Sequence, residues 1–238
     1  MSDKQLVILG AKRNPFGAFG GALRDVNPSV LAAEASKAAL AQAGVAPTEV
    51  NHVIVGTVLQ STVDAIYTAR HAGLKSGVPI EVPALNLNRL CGSGFQVLIE
   101  AKHQKLAGDT EVALVGGVEN MSATPYTLRN ARWGSKMGHS QVEDYLMAAL
   151  VDSYTGCPMA ITAEKLGEQY KVSRADVDAF ALLSQMRTRD AQAAGAFDAE
   201  ITPFITVDKK GVSTTFAKDE HPKPNTTIEA LTKLKSIF

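Results

Sequence analysis

The chain has 238 residues, of which 45% are hydrophobic, so it holds enough apolar side chains for a core and is not wholly disordered. Lysine and arginine together number 24, as do aspartate and glutamate, so the net charge of zero gives no bulk attraction to nucleic acid or to an anionic membrane. Two cysteines are too few for a disulfide framework and indicate a reducing compartment.

Short apolar runs alternate with helical patterns in the first half of the chain. The runs that predict buried strands are residues 6–10, 52–56, 84–88 and 111–117. The helical patterns between them are residues 28–44, with Asn27 as N-cap and Pro28 at the first helical position, residues 64–74, and residues 95–108. This alternation predicts an α/β sheet with helices on both faces. The first apolar run is too short for a signal peptide or a membrane span, so we expect a soluble intracellular protein.

The second half, after Gly117, has a different composition. Turn-forming residues and scattered charges precede further helical patterns at 162–170 and 173–195. The longer helix opens with a capping box formed by Ser173 and Asp176. Its apolar stripe is interpreted as a packing surface and comprises Val177, Phe180, Leu183 and Met186. Residues 200–216 predict a hairpin with Gly211 in the turn. We therefore predict a core at residues 1–118 and an inserted, helix-rich subdomain at residues 119–238.

Cys91 lies between the predicted strand at 84–88 and the helix that follows it. Backbone N–H groups are unpaired at a helix N-terminus, and together with the helix dipole they favour a thiolate there. We expect Gly92 and Gly94 to permit a sharp turn and to leave room for a substrate, as in a nucleophile elbow. Such a thiolate is suited to attack a carbonyl or a thioester. The alternative is a buried structural cysteine.

Two other groups of residues look less suited to chemistry. Cys157 precedes Pro158 in a segment where we predict no strand-to-helix turn, so we interpret it as structural. The five histidines show no metal-ligand spacing, and no metal site is predicted.

Seven segments, read together and in order, resemble the thiolase family. They are AKRNPFGAFGG (11–21), GTVLQSTVDAIYTARHAGL (56–74), NRLCGSGFQ (88–96), GGVENMSATPY (116–126), RNARWGSKMG (129–138), PMAITAEKL (158–166) and DEHPKPNTTIEALTKL (219–234). Within the family, the sequence is most similar to the mitochondrial type of 3-ketoacyl-CoA thiolase, and the acetoacetyl-CoA-forming acetyltransferases are the near neighbours. The resemblance implies a thiolase-like α/β fold with a mixed sheet covered by helices, CoA thioesters as substrates, and a homo-oligomer, either a dimer or a tetramer.

The resemblance also implies roles for individual residues. Cys91 matches the cysteine that becomes acylated, and its backbone amide matches a donor to the thioester oxygen. Lys223 falls where the family places a basic residue on the CoA phosphates, and Thr226 matches a neighbouring CoA contact, although Thr226 with Glu229 also fits a capping box. Leu150 lies near the pantetheine channel and Met159 in the segment that lines the acyl pocket, although both are equally compatible with a hydrophobic core. CoA is then a substrate, and no cofactor is bound permanently.

The family pattern contains two further motifs, a Gly-His-Pro histidine and a Cys-x-Gly cysteine, and neither occurs in residues 1–238. By the resemblance, the last strands of the first domain are absent as well, which predicts an unpaired sheet edge prone to association. We expect these residues alone to show little or no turnover, because the general base is missing.

Three alternatives to the thiolase hypothesis remain. The chain could be a catalytically silent acyl-CoA-binding or interaction module, a thiol redox protein without a resolving cysteine close in sequence, or a condensing enzyme acting on carrier-protein thioesters. We expect a cytoplasmic location, with the mitochondrial matrix as the alternative, and no nucleic-acid or membrane partner.

Overall fold

The computed structural model describes residues 5–134, 136–207 and 210–238. These residues form two compact units, each described by itself below. The first comprises the described residues of Met1–Thr124 and Ala199–Glu220, and the second those of Pro125–Asp198 and His221–Phe238.

A three-stranded sheet forms the centre of the first unit. Its strands are β1 (His52–Gly56), β2 (Ala84–Leu87) and β3 (Ala113–Gly117), in the order β2-β1-β3. All three run parallel, with Ile54 opposite Leu85 on one side and Val115 on the other. The resemblance predicts a mixed sheet, whereas the three described strands of this sheet are all parallel.

Helices cover both faces of this sheet, as the alternation of strands and helices predicts. The helices are α1 (Pro28–Ala43), α2 (Thr68–Lys75) and α3 (Ser93–Ala107), with 3₁₀ turns at Pro47–Glu49, Ala65–Tyr67 and Met121–Ala123. Val53 and Val55 of β1 pack in a cluster with Leu40 of α1 and Ala72 of α2. Ile54 faces the other way and packs with residues of α3. Burial of both faces explains why β1 reads as a continuous apolar run.

The limits of α1 follow the signals in its sequence. Asn27 lies before the first turn, and its side chain accepts a hydrogen bond from the Ser29 backbone N–H at 2.8 Å. The helix ends at Gly44, whose φ of 65° is a left-handed conformation that glycine adopts without steric cost. Both predicted ends are confirmed.

The strand predicted at residues 6–10 is wrong. These residues form no strand, and Val7, Ile8 and Leu9 are 66%, 69% and 59% exposed. A groove of about 170 Å³ is lined both by these residues and by residues 111–115, which include the start of β3. A strand needs hydrogen bonds to a neighbouring strand, and none of the described residues supplies them at this position.

The segment 199–220 packs with the first unit through a hairpin, β8 (Phe204–Val207) and β9 (Ser213–Phe216). Phe204 is buried in a cluster with Leu23 and Leu31. The predicted hairpin is confirmed, with Gly211 at a φ of 81° between the strands, whereas residues 208 and 209 lie outside the described residues. The predicted boundary at residue 118 differs from the observed division because it assigns this hairpin to the second part.

The second unit is built from short elements around one long helix. Its helices are α4 (Tyr145–Ala149), α5 (Met159–Gln169), α6 (Arg174–Ala193) and α7 (Ile228–Thr232), with a 3₁₀ turn at Ala131–Trp133. Two-residue strands pair as β4 (Tyr126–Thr127) with β5 (Glu143–Asp144) and as β6 (Val151–Asp152) with β7 (Cys157–Pro158). The predicted capping box is confirmed, because Ser173 and Asp176 exchange hydrogen bonds at the start of α6.

The interpretation of the α6 stripe as a packing surface is wrong for the described chain. Its four residues are largely exposed, with Phe180 at 71% and Val177 at 51%. Periodicity shows which residues share a face of a helix, but it does not show whether another element covers that face.

No helix within the described ranges has the length and apolar character to cross a membrane.

Candidate active site

Cys91 lies on the short connection between the end of β2 at Leu87 and the start of α3 at Ser93. Gly92 occupies the N-cap position of α3, so the thiol stands one residue before the helix cap. The side chain is a free cysteine and is exposed. This position is at the carboxyl end of a parallel strand, the edge of an α/β sheet at which ligands usually bind.

Two polar side chains hold the turn that carries Cys91. Asn88 Oδ1 accepts a hydrogen bond from the Leu90 backbone N–H at 2.9 Å. Ser93 Oγ accepts from the Arg89 backbone N–H at 2.9 Å and donates to the Leu90 carbonyl at 2.7 Å. Asn88, before the thiol, and Ser93, after it, are therefore both hydrogen-bonded to the backbone of Arg89 and Leu90.

The positive φ of this turn lies at Leu90, at 50°, and neither Gly92 nor Gly94 has one. The glycines therefore do not carry the left-handed conformation, but Gly92 does contribute to the turn by its small size, because a Cβ there would lie only 3.3 Å from the Arg89 carbonyl oxygen. A left-handed conformation costs a non-glycine residue roughly 1–2 kcal/mol, and the bonds from Asn88 and Ser93 offset that cost. Gly94 faces open space, because a Cβ there would meet no atom within 4 Å.

A glycine at the end of β1 lets α3 approach the sheet closely. A Cβ on Gly56, the last residue of β1, would lie 2.7 Å from Ser93 Cβ. A Cβ on Gly117, the last residue of β3, would lie 3.6 Å from Gly94 Cα. The first distance is too short for two non-bonded carbon atoms and the second is an ordinary contact, so it is the absence of a side chain at Gly56 that sets where α3 begins, and with it the position of the cysteine turn.

Glu119 connects the end of β3 to the loop that follows β1. Its Oε2 accepts hydrogen bonds from the backbone N–H groups of Val58 at 2.8 Å and Leu59 at 3.2 Å. Asn88 holds the same loop from the other side, because its Nδ2 donates to the Val58 carbonyl at 3.4 Å. Burial raises the pKa of Glu119, although the backbone hydrogen bonds oppose the shift.

Leu150 and Met159 lie next to each other in the second unit. Met159 is the first residue of α5, and its backbone N–H donates to the Leu150 carbonyl at 3.1 Å. The hairpin of β6 and β7 lies between them, and the two side chains are 39% and 57% exposed. Neither residue is part of a buried core in the described chain.

Lys223 and Thr226 are joined in one turn. Thr226 donates to the Lys223 carbonyl twice, from its hydroxyl at 2.7 Å and from its backbone N–H at 3.1 Å. The predicted capping box of Thr226 with Glu229 is wrong, because Thr227 is the N-cap of α7 and its hydroxyl accepts from the Ala230 N–H. The helix begins one residue later than predicted, which leaves the Thr226 side chain to close the turn.

The position of Cys157 also differs from the prediction. It lies in β7, which leads directly into α5, so the predicted absence of a strand-to-helix junction is wrong. Its side chain is half-buried and its thiol is free. No cluster of three or more His, Cys, Asp and Glu side chains that could hold a metal occurs in the described part of the chain.

Sequence reasoning did not single out Asn88, Ser93 or Glu119. Local signals for two of them exist in hindsight. Asparagine favours hydrogen bonds to the backbone two residues on, which is what Asn88 does, and serine is common where a helix begins. Glu119 has no local signal, because its partners lie 60 positions away in the chain.

Comparison with known proteins accounts for this arrangement. Residues 6–238 match the thiolase N-terminal domain. The chain belongs to the thiolase family. It is 48% identical over 232 residues to a bovine protein named mitochondrial 3-ketoacyl-CoA thiolase, and the match covers 97% of this chain and 58% of that protein. It is 41% identical to beta-ketothiolase BktB of Cupriavidus necator over 99% of this chain and 59% of that protein.

Solved thiolase structures share its fold. The human mitochondrial 3-ketoacyl-CoA thiolase in complex with CoA superposes with a TM-score of 0.92 at 47% identity, over 97% of this chain and 57% of that one. The Bacillus anthracis acetyl-CoA acetyltransferase superposes with a TM-score of 0.93 at 40% identity, over 98% of this chain and 58% of that one. The predicted α/β thiolase fold is confirmed. The chain spans somewhat more than half the length of these relatives.

Proposed function

We propose that this chain provides the nucleophilic part of a thiolase that cleaves 3-ketoacyl-CoA with CoA through an acyl-cysteine at Cys91. The observation that carries the proposal is the exposed Cys91 on a turn held from both sides by Asn88 and Ser93, at the carboxyl end of a parallel strand. A nucleophile held in this way loses little conformational freedom when it attacks.

The proposed reaction has two steps. The Cys91 thiolate attacks the ketone carbon of the 3-ketoacyl-CoA, the bond between that carbon and the α-carbon breaks, and the α-carbon takes the electron pair and a proton to give acetyl-CoA. A second CoA thiolate then attacks the acyl-cysteine, and the Cys91 thiolate leaves. Thiolate suits both steps because it is a good nucleophile and a good leaving group. In the reverse direction the same steps condense two acyl-CoA molecules.

The second unit is proposed to hold CoA. Lys223 is exposed and would act on the CoA phosphates as a point charge, without the fork geometry of an arginine. Thr226 would set the shape of the Lys223 turn. We propose that Leu150 contacts the pantetheine and that Met159 contacts the acyl group. Their partial exposure supports these roles, because buried side chains would be unable to reach a ligand.

Acylation of Cys91 is the step that tests the proposal. We would incubate the 238-residue chain with acetyl-CoA and measure its intact mass. We expect a gain of one acetyl group, which disappears in Cys91→Ala and persists in Cys157→Ala, the matched control at the other cysteine. CoA binding without any mass gain would contradict the enzyme proposal and favour the acyl-CoA-binding module.

The branch of the family is a second part of the proposal. The higher identity to proteins named 3-ketoacyl-CoA thiolase, 47–48%, than to the acetyl-CoA acetyltransferase of Bacillus anthracis, 40%, supports the 3-ketoacyl-CoA thiolase branch. For residues 1–238 alone we expect thiolysis to be roughly two to four decades below that of a complete enzyme, because no general-base motif of the family occurs in them. Acylation and turnover are therefore to be measured separately.

Oligomerisation and location stay predictions. We propose a homo-oligomer, and sedimentation would test it. The names of the bovine and human relatives contain the word mitochondrial, which supports a mitochondrial location over the expected cytoplasm.

A further inference from the structure

One face of α6 carries two polar side chains that bond to the segment 223–234, Arg174 and Gln185, and a third, Asp178, that pairs with Arg174. Arg174, Asp178 and Gln185 are spaced by four and seven positions, which places them on the same side of a helix. All three belong to the second unit, as does the segment 223–234.

Arg174 connects the first turn of α6 to the end of α7. Its Nη2 donates to the Leu231 carbonyl at 2.8 Å and to the Leu234 carbonyl at 2.9 Å. Leu231 lies in the last turn of α7, and its carbonyl also accepts from the Leu234 backbone N–H at 3.0 Å, whereas Leu234 lies just beyond the helix. Because α7 has only five residues, it depends on such outside contacts for its stability.

Asp178 holds the Arg174 guanidinium in place. Its Oδ1 accepts from Arg174 Nε at 2.8 Å, and the residue is only 5% exposed. A buried carboxylate is costly without a cation beside it, so this pair strongly restricts where Arg174 points. The guanidinium of Arg174 thus donates to Asp178 from Nε and to the two carbonyls from Nη2.

Gln185 holds the other end of the segment. Its Oε1 accepts from the Lys223 backbone N–H at 2.8 Å, and the Lys223 carbonyl accepts from Thr226 in the turn described above. Positions 174 and 185 of a helix lie roughly 16 Å apart along its axis. The segment is thus attached to α6 at two separate points, one at Lys223 and one at the end of α7.

We infer that Arg174, Asp178 and Gln185 are positioning residues that fix the backbone of the Lys223 turn for CoA binding. This inference rests on the proposed function, in which Lys223 contacts the CoA phosphates. A lysine on a backbone fixed in advance loses less conformational freedom when it binds a phosphate. The three residues, together called the α6 clamp, would therefore raise the affinity for CoA without touching it. The α6 clamp has no part in the chemistry at Cys91.

The test compares CoA binding with Cys91 acylation in the 238-residue chain. Arg174→Lys removes the fork, Gln185→Leu removes the acceptor, and Arg187→Lys is the matched control at an exposed position of the same helix. CoA dissociation constants come from calorimetry, and the acylation rate comes from S-acetyl-N-acetylcysteamine, a thioester without CoA phosphates. Hydrogen exchange of residues 223–234 reports the backbone directly, and urea unfolding checks that each variant folds.

We expect Arg174→Lys and Gln185→Leu each to weaken CoA binding by about tenfold, the effect of losing a hydrogen bond that fixes the site. Hydrogen exchange in residues 223–234 should become faster, while acylation by the small thioester stays unchanged. Arg187→Lys should behave as the unsubstituted chain. Because Gln185→Leu leaves the ion pair intact, it still tests the inference if Arg174→Lys does not fold.

Other outcomes overturn the inference in distinguishable ways. Unchanged CoA affinity or unchanged exchange in both variants would show that α6 does not position the turn. Acylation by the small thioester without any CoA binding would reject the CoA site, and with it this inference, but not the nucleophile. Neither binding nor acylation in the unsubstituted chain would reject the proposed function itself.

Discussion

The Arg13 guanidinium donates two hydrogen bonds to the Asp219 carboxylate, at 2.7 and 3.0 Å, across 206 positions of sequence. The Phe16 backbone N–H donates to the same carboxylate at 2.7 Å. Next to it, the Glu220 carboxylate accepts from the Ala18 N–H at 2.8 Å. These contacts attach the end of the hairpin segment to the first unit, immediately before the chain enters the second unit at His221.

Asp219→Asn should destabilise the first unit. The Asp219 side chain is only 8% exposed, so the Arg13 guanidinium would lose the more buried of its two charged partners and keep only Glu200, which is 47% exposed. We expect a loss of about 1–3 kcal/mol in the free energy of unfolding, measured by urea titration. Asp25→Asn is the control, because its pair with Arg24 is highly exposed and should contribute little. Equal effects of the two substitutions would contradict the importance of the Arg13 contact.

Acid should weaken the fold through two carboxyl groups. Burial opposes ionisation of Asp219, but hydrogen bonds from Arg13 and from the Phe16 backbone outweigh it and lower its pKa. Hydrogen bonds from Asn27, Thr62 and His71 hold the pKa of Asp64 well below its usual range. Both groups bind protons more readily in the unfolded chain, where the pKa is about 3.9. Their stabilisation is therefore complete above that pH and is lost as the pH falls through the folded-state pKa.

This dependence can be measured by urea unfolding at a series of pH values from neutral to acid. The Asp219→Asn variant should lose less stability on acidification than the unsubstituted chain, because one of the two carboxyl groups is gone. Parallel curves for the two proteins would contradict a contribution from Asp219.

Two substitutions of Glu119 should act in opposite directions. Glu119→Gln keeps an oxygen for the Val58 and Leu59 N–H groups and removes a carboxylate whose raised pKa shows that burial disfavours its charge. We expect it to be as stable as the unsubstituted chain or more stable at neutral pH, with the difference shrinking as the pH falls and the glutamate becomes protonated.

Glu119→Leu removes the acceptor altogether and should cost about 1–3 kcal/mol, because the two N–H groups lose their partner. Urea unfolding of both variants at neutral pH distinguishes the effects. A glutamine variant as unstable as the leucine variant would show that the charge, not the hydrogen bonds, stabilises the loop after β1.

Gly56→Ala should displace the start of α3. The new Cβ would lie 2.7 Å from Ser93 Cβ, so either the strand or the helix must shift, at a cost of roughly 1–3 kcal/mol. Because Ser93 holds the cysteine turn, we also expect a changed rate of Cys91 alkylation by iodoacetamide. Gly116→Ala is the matched control, since a Cβ there would meet no atom within 4 Å. An unaltered alkylation rate in Gly56→Ala would show that the end of β1 does not influence the cysteine turn.

Several features of the fold were predictable because their signals are local. The start of α1 at Asn27, its end at Gly44, the capping box of α6 and the turn at Gly211 each depend on residues within a few positions of one another. The place of Cys91 between a strand and a helix was predictable for the same reason. The resemblance to thiolases added the fold, because motifs in a fixed order along the chain are specific even where each motif is weak.

The sequence by itself therefore determined the elements and the place of the cysteine between two of them. Only the tertiary structure decided that residues 6–10 form no strand, because strand formation depends on a distant partner. It also decided that Leu90, not a glycine, carries the left-handed conformation, since hydrogen bonds from Asn88 and Ser93 hold it there. The attachment of Lys223 to Gln185 joins residues 38 positions apart, and no local pattern encodes a contact of that range.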